Sequence, residues 1–213
     1  MKTQQIDFWN GNFGKDYTDR NPQNMEEWDQ LYLTQYGIKK TEINKDFFEN
    51  LNKDIKILEV GCNIGLQLAG LQKMGFTNLY GIELQSYAVQ RSKEMFKNIN
   101  IIQGSGFDIP YKNDFFDVVM TNGVLIHIKP ENLSVIMNEM IRCTKQYIIG
   151  FEYYAEELQD IPYRGNIGYL WKGNYAQEFV KINSSLKIIG KKIYPYINQA
   201  ESGNQDIHYL LEK

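Results

Sequence analysis

The chain has few of the residues that build metal sites, disulfide frameworks or membrane spans. Its 213 residues include two cysteines, Cys62 and Cys143, and two histidines. Two cysteines so far apart fit neither a zinc site nor a disulfide framework, so we expect no metal and a reducing, cytoplasmic location. No apolar run approaches the roughly 20 residues of a membrane span, and the segment Met1–Asp7 lacks the apolar core of a signal peptide. We therefore expect no membrane association.

The chain also lacks a surplus of positive charge. Its formal net charge is −3 at pH 7, which argues against nucleic acid as a partner. Only four of the 23 basic residues are arginines, and Arg164 is one of them. Without repeats or a second domain pattern, we expect one compact domain over 53–213, preceded by an N-terminal lid and helices over 1–52. The oligomeric state stays open.

Apolar runs alternate with amphipathic helical segments along most of the chain. This alternation predicts a parallel sheet with helices on both of its faces. The last two predicted strands have no helix between them, so they can only form an antiparallel C-terminal hairpin. The predicted strands lie near 56–60, 78–82, 99–103, 117–121, 147–153, 186–194 and 207–211. This seven-stranded, mostly parallel, Rossmann-like α/β sheet is similar to the class I methyltransferase fold.

The most informative stretch is a turn that follows the first predicted strand. It contains Gly61, Asn63 and Gly65, and Glu83 ends the second predicted strand. In βαβ units of this kind, glycines let the backbone approach an adenosine-containing cofactor, and an acid about 20 residues later accepts hydrogen bonds from ribose hydroxyls. The stretch therefore predicts a site for such a cofactor.

The charges of the turn help to choose the cofactor. A dinucleotide-binding turn has a glycine where this chain has Asn63, and Glu59 would repel a pyrophosphate. The same carboxylate would attract the ammonium and sulfonium groups of S-adenosylmethionine. We therefore predict S-adenosylmethionine as the cofactor. A nicotinamide-dependent reductase and a non-catalytic S-adenosylmethionine-binding protein are the alternatives.

Further candidates follow the other strands, because ligands of such sheets bind outside the carboxyl ends of the strands. Leu84 is placed to pack against adenine, Ser105 to reach its polar edge and Phe107 to flank the ring. Many class I enzymes have an acid where this chain has Ser105. The predicted cofactor-binding residues at strand ends are Glu59, Gly61, Asn63, Gly65, Glu83, Leu84, Ser105, Phe107 and Asn122.

The N-terminal segment Phe8–Asn21 is unusually aromatic. Its rings either pack an N-terminal helix onto the sheet or form a lid over the methionine end of the cofactor. In the second case Tyr17, Arg20 and Asn21 face the ligand.

Three motifs carry a more specific resemblance. They are Phe8-Trp9-x-Gly11-x-Phe13-Gly14-x-x-Tyr17-x-x-Arg20-Asn21, Val124-Leu125-Ile126-His127-Ile128, and Glu152-Tyr153-Tyr154 with Pro162-Tyr163-Arg164-Gly165. Together they resemble the pseudaminic acid biosynthesis-associated methylases, a bacterial branch of the class I S-adenosylmethionine-dependent methyltransferases. The resemblance implies methylation of a nonulosonic acid or a nucleotide-linked sugar in surface glycan biosynthesis, which would make the acceptor an anionic sugar.

His127 is the best candidate for a general base, since it follows the fourth strand and free imidazole titrates near ~6.5. The alternative is that it only packs beside the cofactor. Tyr153 and Tyr154 end the fifth strand, so one should face the cleft and the other the core. Either could orient the acceptor or assist its deprotonation.

The glycine-rich segment after the fifth strand supplies the predicted substrate-binding residues Tyr163, Arg164 and Trp171. Tyr163 and Trp171 either line a sugar site or simply bury the loop. A guanidinium suits a carboxylate or phosphate, so Arg164 could hold an anionic acceptor. Alternatively, Arg164 pins its own loop by pairing with Glu156 or Asp160. His208 lies within the last strand, and we predict a structural role for it.

Overall fold

The computed structural model describes residues 3–213, and its centre is a seven-stranded sheet. The strands of this sheet are β1 (Lys56–Val60), β2 (Asn78–Glu83), β3 (Asn100–Gln103), β4 (Phe116–Asn122), β5 (Thr144–Tyr153), β8 (Lys187–Pro195) and β9 (Gln205–Glu212). They lie in the order β3-β2-β1-β4-β5-β9-β8. The first five are parallel, and β9 runs antiparallel to both β5 and β8. The predicted sheet is therefore confirmed.

Helices surround the sheet and cover the edge at which the parallel strands end. They are α1 (Gln4–Asn10), α2 (Asn12–Arg20), α3 (Met25–Tyr36), α4 (Lys40–Ile43), α5 (Lys45–Phe48), α6 (Leu66–Lys73), α7 (Ser86–Met95), α8 (Pro130–Cys143) and α9 (Tyr175–Ile182). A small pair of strands, β6 (Gln159–Asp160) and β7 (Trp171–Lys172), lies apart from the main sheet. None of the helices over 3–213 is both long and apolar enough to cross a membrane.

The core lies on both faces of the sheet, which explains the continuous apolar strands. In β1, four successive residues are buried, because helices cover both sides of a parallel sheet. One core layer joins α8 and α9 to the sheet, and the other lies beneath α6. The start of α8 follows a simple rule, since Pro130 occupies a first-turn position where no backbone N–H is needed.

The region before β1 is helical. Its last two helices, α4 and α5, are short, and between them the buried Asn44 accepts a hydrogen bond from Gln67 Nε2 at 3.0 Å. The polar, aromatic segment before residue 25 forms two helices that meet at Gly11. Gln85 Nε2 donates to the carbonyls of Trp9 and Gly11 at 3.1 and 2.9 Å, which fixes these helices to the sheet.

Candidate functional site

A cavity of about 750 Å³ lies outside the carboxyl ends of the parallel strands. Helices α1 to α3 and the segment 161–170 form its cover. We divide its lining residues into two groups according to the parts of the chain that supply them. The cofactor end, as we name it, is lined by Glu59, Gly61, Cys62, Asn63, Glu83, Leu84, Ser105 and Phe107; the acceptor end is lined by Tyr32, Tyr36, Tyr153, Tyr163, Tyr196, Glu201, Asn204 and Asp206.

The turn after β1 has a backbone conformation that favours glycine at position 61. Gly61 has a φ of +71°, and a Cβ added there would lie 2.8 Å from Val124 Cγ2. Asn63 also has a positive φ, at +47°, which asparagine tolerates better than most residues. The backbone N–H groups of Gly61 and Cys62 both donate to the carbonyl of Ile82, at 2.8 and 3.1 Å. The turn is therefore tied to β2 and has no room for a side chain at Gly61.

Glu83 sits at the end of β2 with its carboxylate held by the same turn. One oxygen accepts from the Asn63 N–H and the other from the Gln85 N–H, each at 2.8 Å. Burial raises the pKa of Glu83, while these backbone donors oppose the rise. The carboxylate lines the cavity in a fixed orientation, as a ligand for hydroxyl groups would require.

Glu59 has a buried oxygen without a partner. The residue is 3% exposed and lines the cavity, and its Oε2 has no hydrogen-bond partner. Burial raises its pKa, and the ammonium of Lys40 acts in the opposite direction. An acceptor oxygen that is buried without a donor is costly, so this position fits a ligand that brings an N–H group. The ammonium of S-adenosylmethionine is such a group.

Most of the predicted cofactor-binding residues line one cavity, but Gly65 does not. Leu84, Ser105, Phe107 and Asn122 all line it, and Ser105 Oγ accepts from the Phe107 N–H at 3.2 Å. Gly65 instead precedes α6 with a φ of +87°, and its position faces Ile101. Gly65 starts the helix outside this lining, and its contact with the cofactor stays a prediction.

Helix α2 brings two of its three predicted residues to the cavity. Tyr17 and Asn21 line it, and burial raises the pKa of Tyr17 to about 12. Arg20 does not line it, because its guanidinium lies outside, 4.8 Å from the Phe13 ring and 5.3 Å from the Tyr17 ring. Thr18 was not predicted, yet its hydroxyl lies 3.0 Å from Asn63 Oδ1 and connects α2 with the glycine turn.

His127 lines the cavity but differs from a free imidazole. Its Nδ1 lies 2.9 Å from the carbonyl oxygen of Tyr169, which can only accept, so Nδ1 carries the proton and Nε2 has a free lone pair. Burial lowers the pKa of His127 to about 4. The ring is therefore neutral at pH 7, and the expected titration near 6.5 is wrong for the folded protein.

The two tyrosines that end β5 point in opposite directions, as strand alternation predicts. Tyr153 lines the cavity. Tyr154 packs in the core with α8 and α9, and its hydroxyl donates to Glu156 at 2.5 Å. Tyr154 does not line the cavity, so the structure favours Tyr153 of the two, and a catalytic role for either stays a prediction.

The segment after β5 contributes one of its three predicted residues. Tyr163 lines the cavity and lies against His127, with ring centroids 5.2 Å apart. Arg164 is exposed at the tip of a turn with a φ of +49° and lies outside the lining; within 3–213 it forms no ion pair with Glu156 or Asp160. Trp171 is buried in β7, outside the lining. The structure therefore brings neither Arg164 nor Trp171 to the cavity, and their contact with a substrate stays a prediction.

Several site residues have no local sequence signal. Lys40 is 1% exposed, its ammonium donates to Asn122 Oδ1 at 2.8 Å, and burial lowers its pKa to about 7. Glu152 holds the loop after β4 by accepting from the N–H groups of Val124 and Ile126, and burial raises its pKa to about 7. Tyr36 and Asp206 lie 170 residues apart and share a hydrogen bond. Only the folded chain brings these groups together.

No cluster of three or more histidine, cysteine or acidic side chains that could hold a metal occurs in the described part of the chain. His208 is buried beside Asp46, with 3.5 Å between Nδ1 and Oδ2, away from the cavity lining.

Residues 58–147 match the family model described as a methyltransferase domain. An uncharacterized protein from Haemophilus influenzae is 24% identical over 100 residues, which cover 44% of this chain and 40% of that relative. The match thus spans less than half of the relative's length.

Solved structures with the same fold cover more of the chain. Magnesium protoporphyrin IX methyltransferase from Synechocystis PCC 6803, solved with bound S-adenosylmethionine, has a TM-score of 0.67 at 15% identity and covers 100% of this chain and 98% of its own. An S-adenosylmethionine-dependent methyltransferase from Methanosarcina mazei has a TM-score of 0.60 at 16% identity, over 76% of this chain and 94% of its own. At such identities the structures show the fold. The sequence match to the methyltransferase-domain family is confined to residues 58–147, less than half of the chain.

Proposed function

We propose that the protein is an S-adenosylmethionine-dependent methyltransferase that acts on a small molecule. One observation carries the proposal: a single covered cavity joins the glycine turn, the Glu83 carboxylate and the unpartnered Glu59 oxygen to a second space at the acceptor end. The cavity is large enough for a cofactor and a small acceptor, since ligand pockets usually measure about 300–1,000 Å³.

In this proposal, different residues of the cofactor end contact different parts of S-adenosylmethionine. Glu83 accepts hydrogen bonds from the ribose, and Glu59 from the ammonium of the methionine part. Leu84 and Phe107 pack beside adenine, and Ser105 lies at its polar edge. Asn63, Asn122, Tyr17 and Asn21 complete the contacts, and the aromatic segment Phe8–Asn21 acts as the lid. Support comes from the lining of the cavity and from the fixed orientation of the Glu83 carboxylate.

The chain's own chemistry is to position the acceptor and exclude water, because the bound cofactor supplies the reactive methyl group. His127 is neutral, and its Nε2 can accept a proton from an acceptor hydroxyl. Tyr153 and Tyr163 lie at the same end of the cavity and would orient the acceptor.

The resemblance suggests a nonulosonic acid or a nucleotide-linked sugar of bacterial surface glycan biosynthesis as the acceptor, and we retain this class as a proposal. The charges of the cavity refine it. Among the described residues, five acids and no lysine or arginine line the cavity; the acids are Glu59, Glu83, Glu152, Glu201 and Asp206. An anionic group deep in this cavity would be repelled. An amino sugar whose anionic group stays outside the cavity therefore fits this lining better than an acceptor whose carboxylate enters the cavity.

Two measurements test the proposed function. Calorimetry should show binding of S-adenosylhomocysteine, the demethylated cofactor, and no binding of NAD or NADP. Labelled-methyl transfer should then be measured with nonulosonates, their nucleotide-activated forms and nucleotide-linked amino sugars. Binding of NAD without S-adenosylhomocysteine would overturn the proposal, and cofactor binding without turnover on any small acceptor would favour a non-catalytic binding protein.

A further inference from the structure

The acceptor end contains a buried carboxylate that lacks a basic partner. Asp206, on β9, is 6% exposed and pairs across the sheet with Tyr153 on β5. Its carboxylate accepts hydrogen bonds from the hydroxyls of Tyr36 and Tyr196. All four residues line the cavity, and we call this group the tyrosine pocket.

The charge of Asp206 is not neutralised inside the protein. Within residues 3–213, no lysine, arginine or histidine nitrogen lies within 4.0 Å of its carboxylate. Burial raises its pKa to about 6, while the two tyrosine hydroxyls and the more distant Lys40 and Lys172 lower it. The carboxylate is therefore mostly ionised at pH 7.5.

The two nearby lysines make other contacts, and only Lys172 touches the tyrosine pocket, at the Tyr153 ring; a further acid adds to the negative charge. Lys40 donates to Asn122, and Lys172 donates to Asn204 with its ammonium 4.2 Å from the centre of the Tyr153 ring. Glu201 lines the same end of the cavity. A buried carboxylate without a counter-ion is unfavourable unless a ligand supplies the positive charge.

The rings of the tyrosine pocket suit the same kind of ligand. Tyr153 and Tyr196 stack with centroids 5.6 Å apart and planes at 15°, and Tyr36 meets Tyr196 edge-on at 5.1 Å. Aromatic faces attract ammonium groups, and the attraction grows when water is excluded. Aromatic faces around a buried acid are a combination that recognises cations.

We propose that the tyrosine pocket binds a protonated amine of the methyl acceptor, with Asp206 as its counter-ion. The inference rests on the proposed function and narrows its substrate class to acceptors that carry a free amino group. A carboxylate or phosphate of the same molecule would have to lie outside this end of the cavity.

The test uses the full chain, saturated with S-adenosylhomocysteine, and three probes of similar size: cyclohexylammonium, cyclohexanol and cyclohexanecarboxylate. Saturation-transfer NMR at pH 7.5 measures the affinity for each. We expect the ammonium to bind about tenfold more tightly than the alcohol, and the carboxylate to bind weakest. Equal affinity for the ammonium and the alcohol, tighter binding of the carboxylate, or no binding of any probe would overturn the inference.

Two variants assign the preference to Asp206. In Asp206→Asn, which keeps the shape and an acceptor for the tyrosine hydroxyls, the preference should fall to about twofold or less. Glu157→Gln removes an exposed acid outside the cavity and should keep the wild-type preference. A preference that survives in a folded Asp206→Asn protein would contradict the proposal, and the wild-type ratio decides the matter if that variant does not fold. Failure of S-adenosylhomocysteine to bind would count against the proposed function, whereas normal binding without an ammonium preference would count against this inference alone.

Discussion

The two ends of the cavity are built from the sequence in different ways. The cofactor end comes mainly from the segments that follow β1, β2 and β3, between Glu59 and Phe107 in chain order. The acceptor end combines α3 with the end of β5, the segment around Tyr163, and residues near Asp206. The first end is local and repeats the geometry of one βαβ unit. The second end depends on contacts between residues more than 100 positions apart.

Because of this difference, we expect the cofactor end to be rigid and the acceptor end to determine which acceptor binds. Backbone hydrogen bonds tie the glycine turn and Glu83 together, so the cofactor end has one shape. Side-chain hydroxyls and rings form most of the acceptor end, so substitutions can change its preference without changing the fold. We therefore expect substitutions at the cofactor end to change cofactor affinity, and those at the acceptor end to change acceptor choice.

The largest effect should come from Gly61→Val. The new Cβ would lie 2.8 Å from Val124 Cγ2, and valine is strained at a φ of +71°. We expect S-adenosylhomocysteine affinity to fall by about a hundredfold or more, or about 3 kcal/mol, by calorimetry. The matched control is Gly75→Val, where φ is +95° but the nearest atom, Lys53 Cγ, is 3.8 Å away, far from the cavity lining. Equal losses of affinity in both folded variants would show that strain, and not the cofactor approach, is responsible.

The next largest effect is expected from His127→Asn, which tests whether His127 takes a proton from the acceptor. If Nε2 accepts a proton from an acceptor hydroxyl, turnover should fall by about 100-fold while cofactor affinity stays the same. Because burial lowers the pKa of His127 to about 4, its protonated form is lost as pH rises through 4, and it contributes no step between pH 6 and 8. Wild type and variant should therefore have pH profiles of the same shape in this range. Lys40 and Glu152, with pKa values near 7, can give a step that both share.

A step near pH 6.5 that is present in wild type and absent in His127→Asn would contradict the neutral, buried imidazole. A rate within twofold of wild type would instead assign His127 to packing beside Trp9 and Tyr163. That outcome would agree with methylation of an amine, which in its neutral form needs no base.

The same contrast explains what the sequence could and could not predict. The bounds of β1 were predicted correctly, since a run of buried apolar residues before a glycine turn leaves few alternatives. The Gly61 and Glu83 positions followed from the spacing of one βαβ unit. Arg164 and Trp171 were expected at the site but lie outside the cavity lining, because residue type says what a side chain can bind but not where an irregular segment directs it. Lys40 and Asp206 were missed, since an isolated lysine or aspartate has no local pattern that indicates burial.

Glu83→Gln should have a smaller effect than Gly61→Val. The amide keeps one oxygen to accept from a backbone N–H, yet it loses the negative charge that strengthens hydrogen bonds from ribose hydroxyls. We expect S-adenosylhomocysteine binding to weaken by about 1–3 kcal/mol, measured by calorimetry. The ammonium preference of the acceptor end should be unchanged, whereas Asp206→Asn should show the reverse pattern. If both variants weaken cofactor and ammonium binding to the same degree, the two ends are not separate.

The smallest effect is expected from Arg164→Ala. Arg164 is exposed at a turn with a φ of +49°, outside the cavity lining, so its guanidinium has no place beside an acceptor that lies near Tyr153. The Michaelis constant for the acceptor should change by less than about twofold, since surface substitutions usually act weakly. Tyr163→Ala, one residue away, removes a ring that lines the cavity and should raise it more. A tenfold increase for Arg164→Ala with an anionic acceptor, and none with a neutral one, would mean that the 161–170 segment moves over the cavity when the acceptor binds. The acceptor end would then owe part of its specificity to a change in shape, and the charge argument against an anionic acceptor would have to include this arginine.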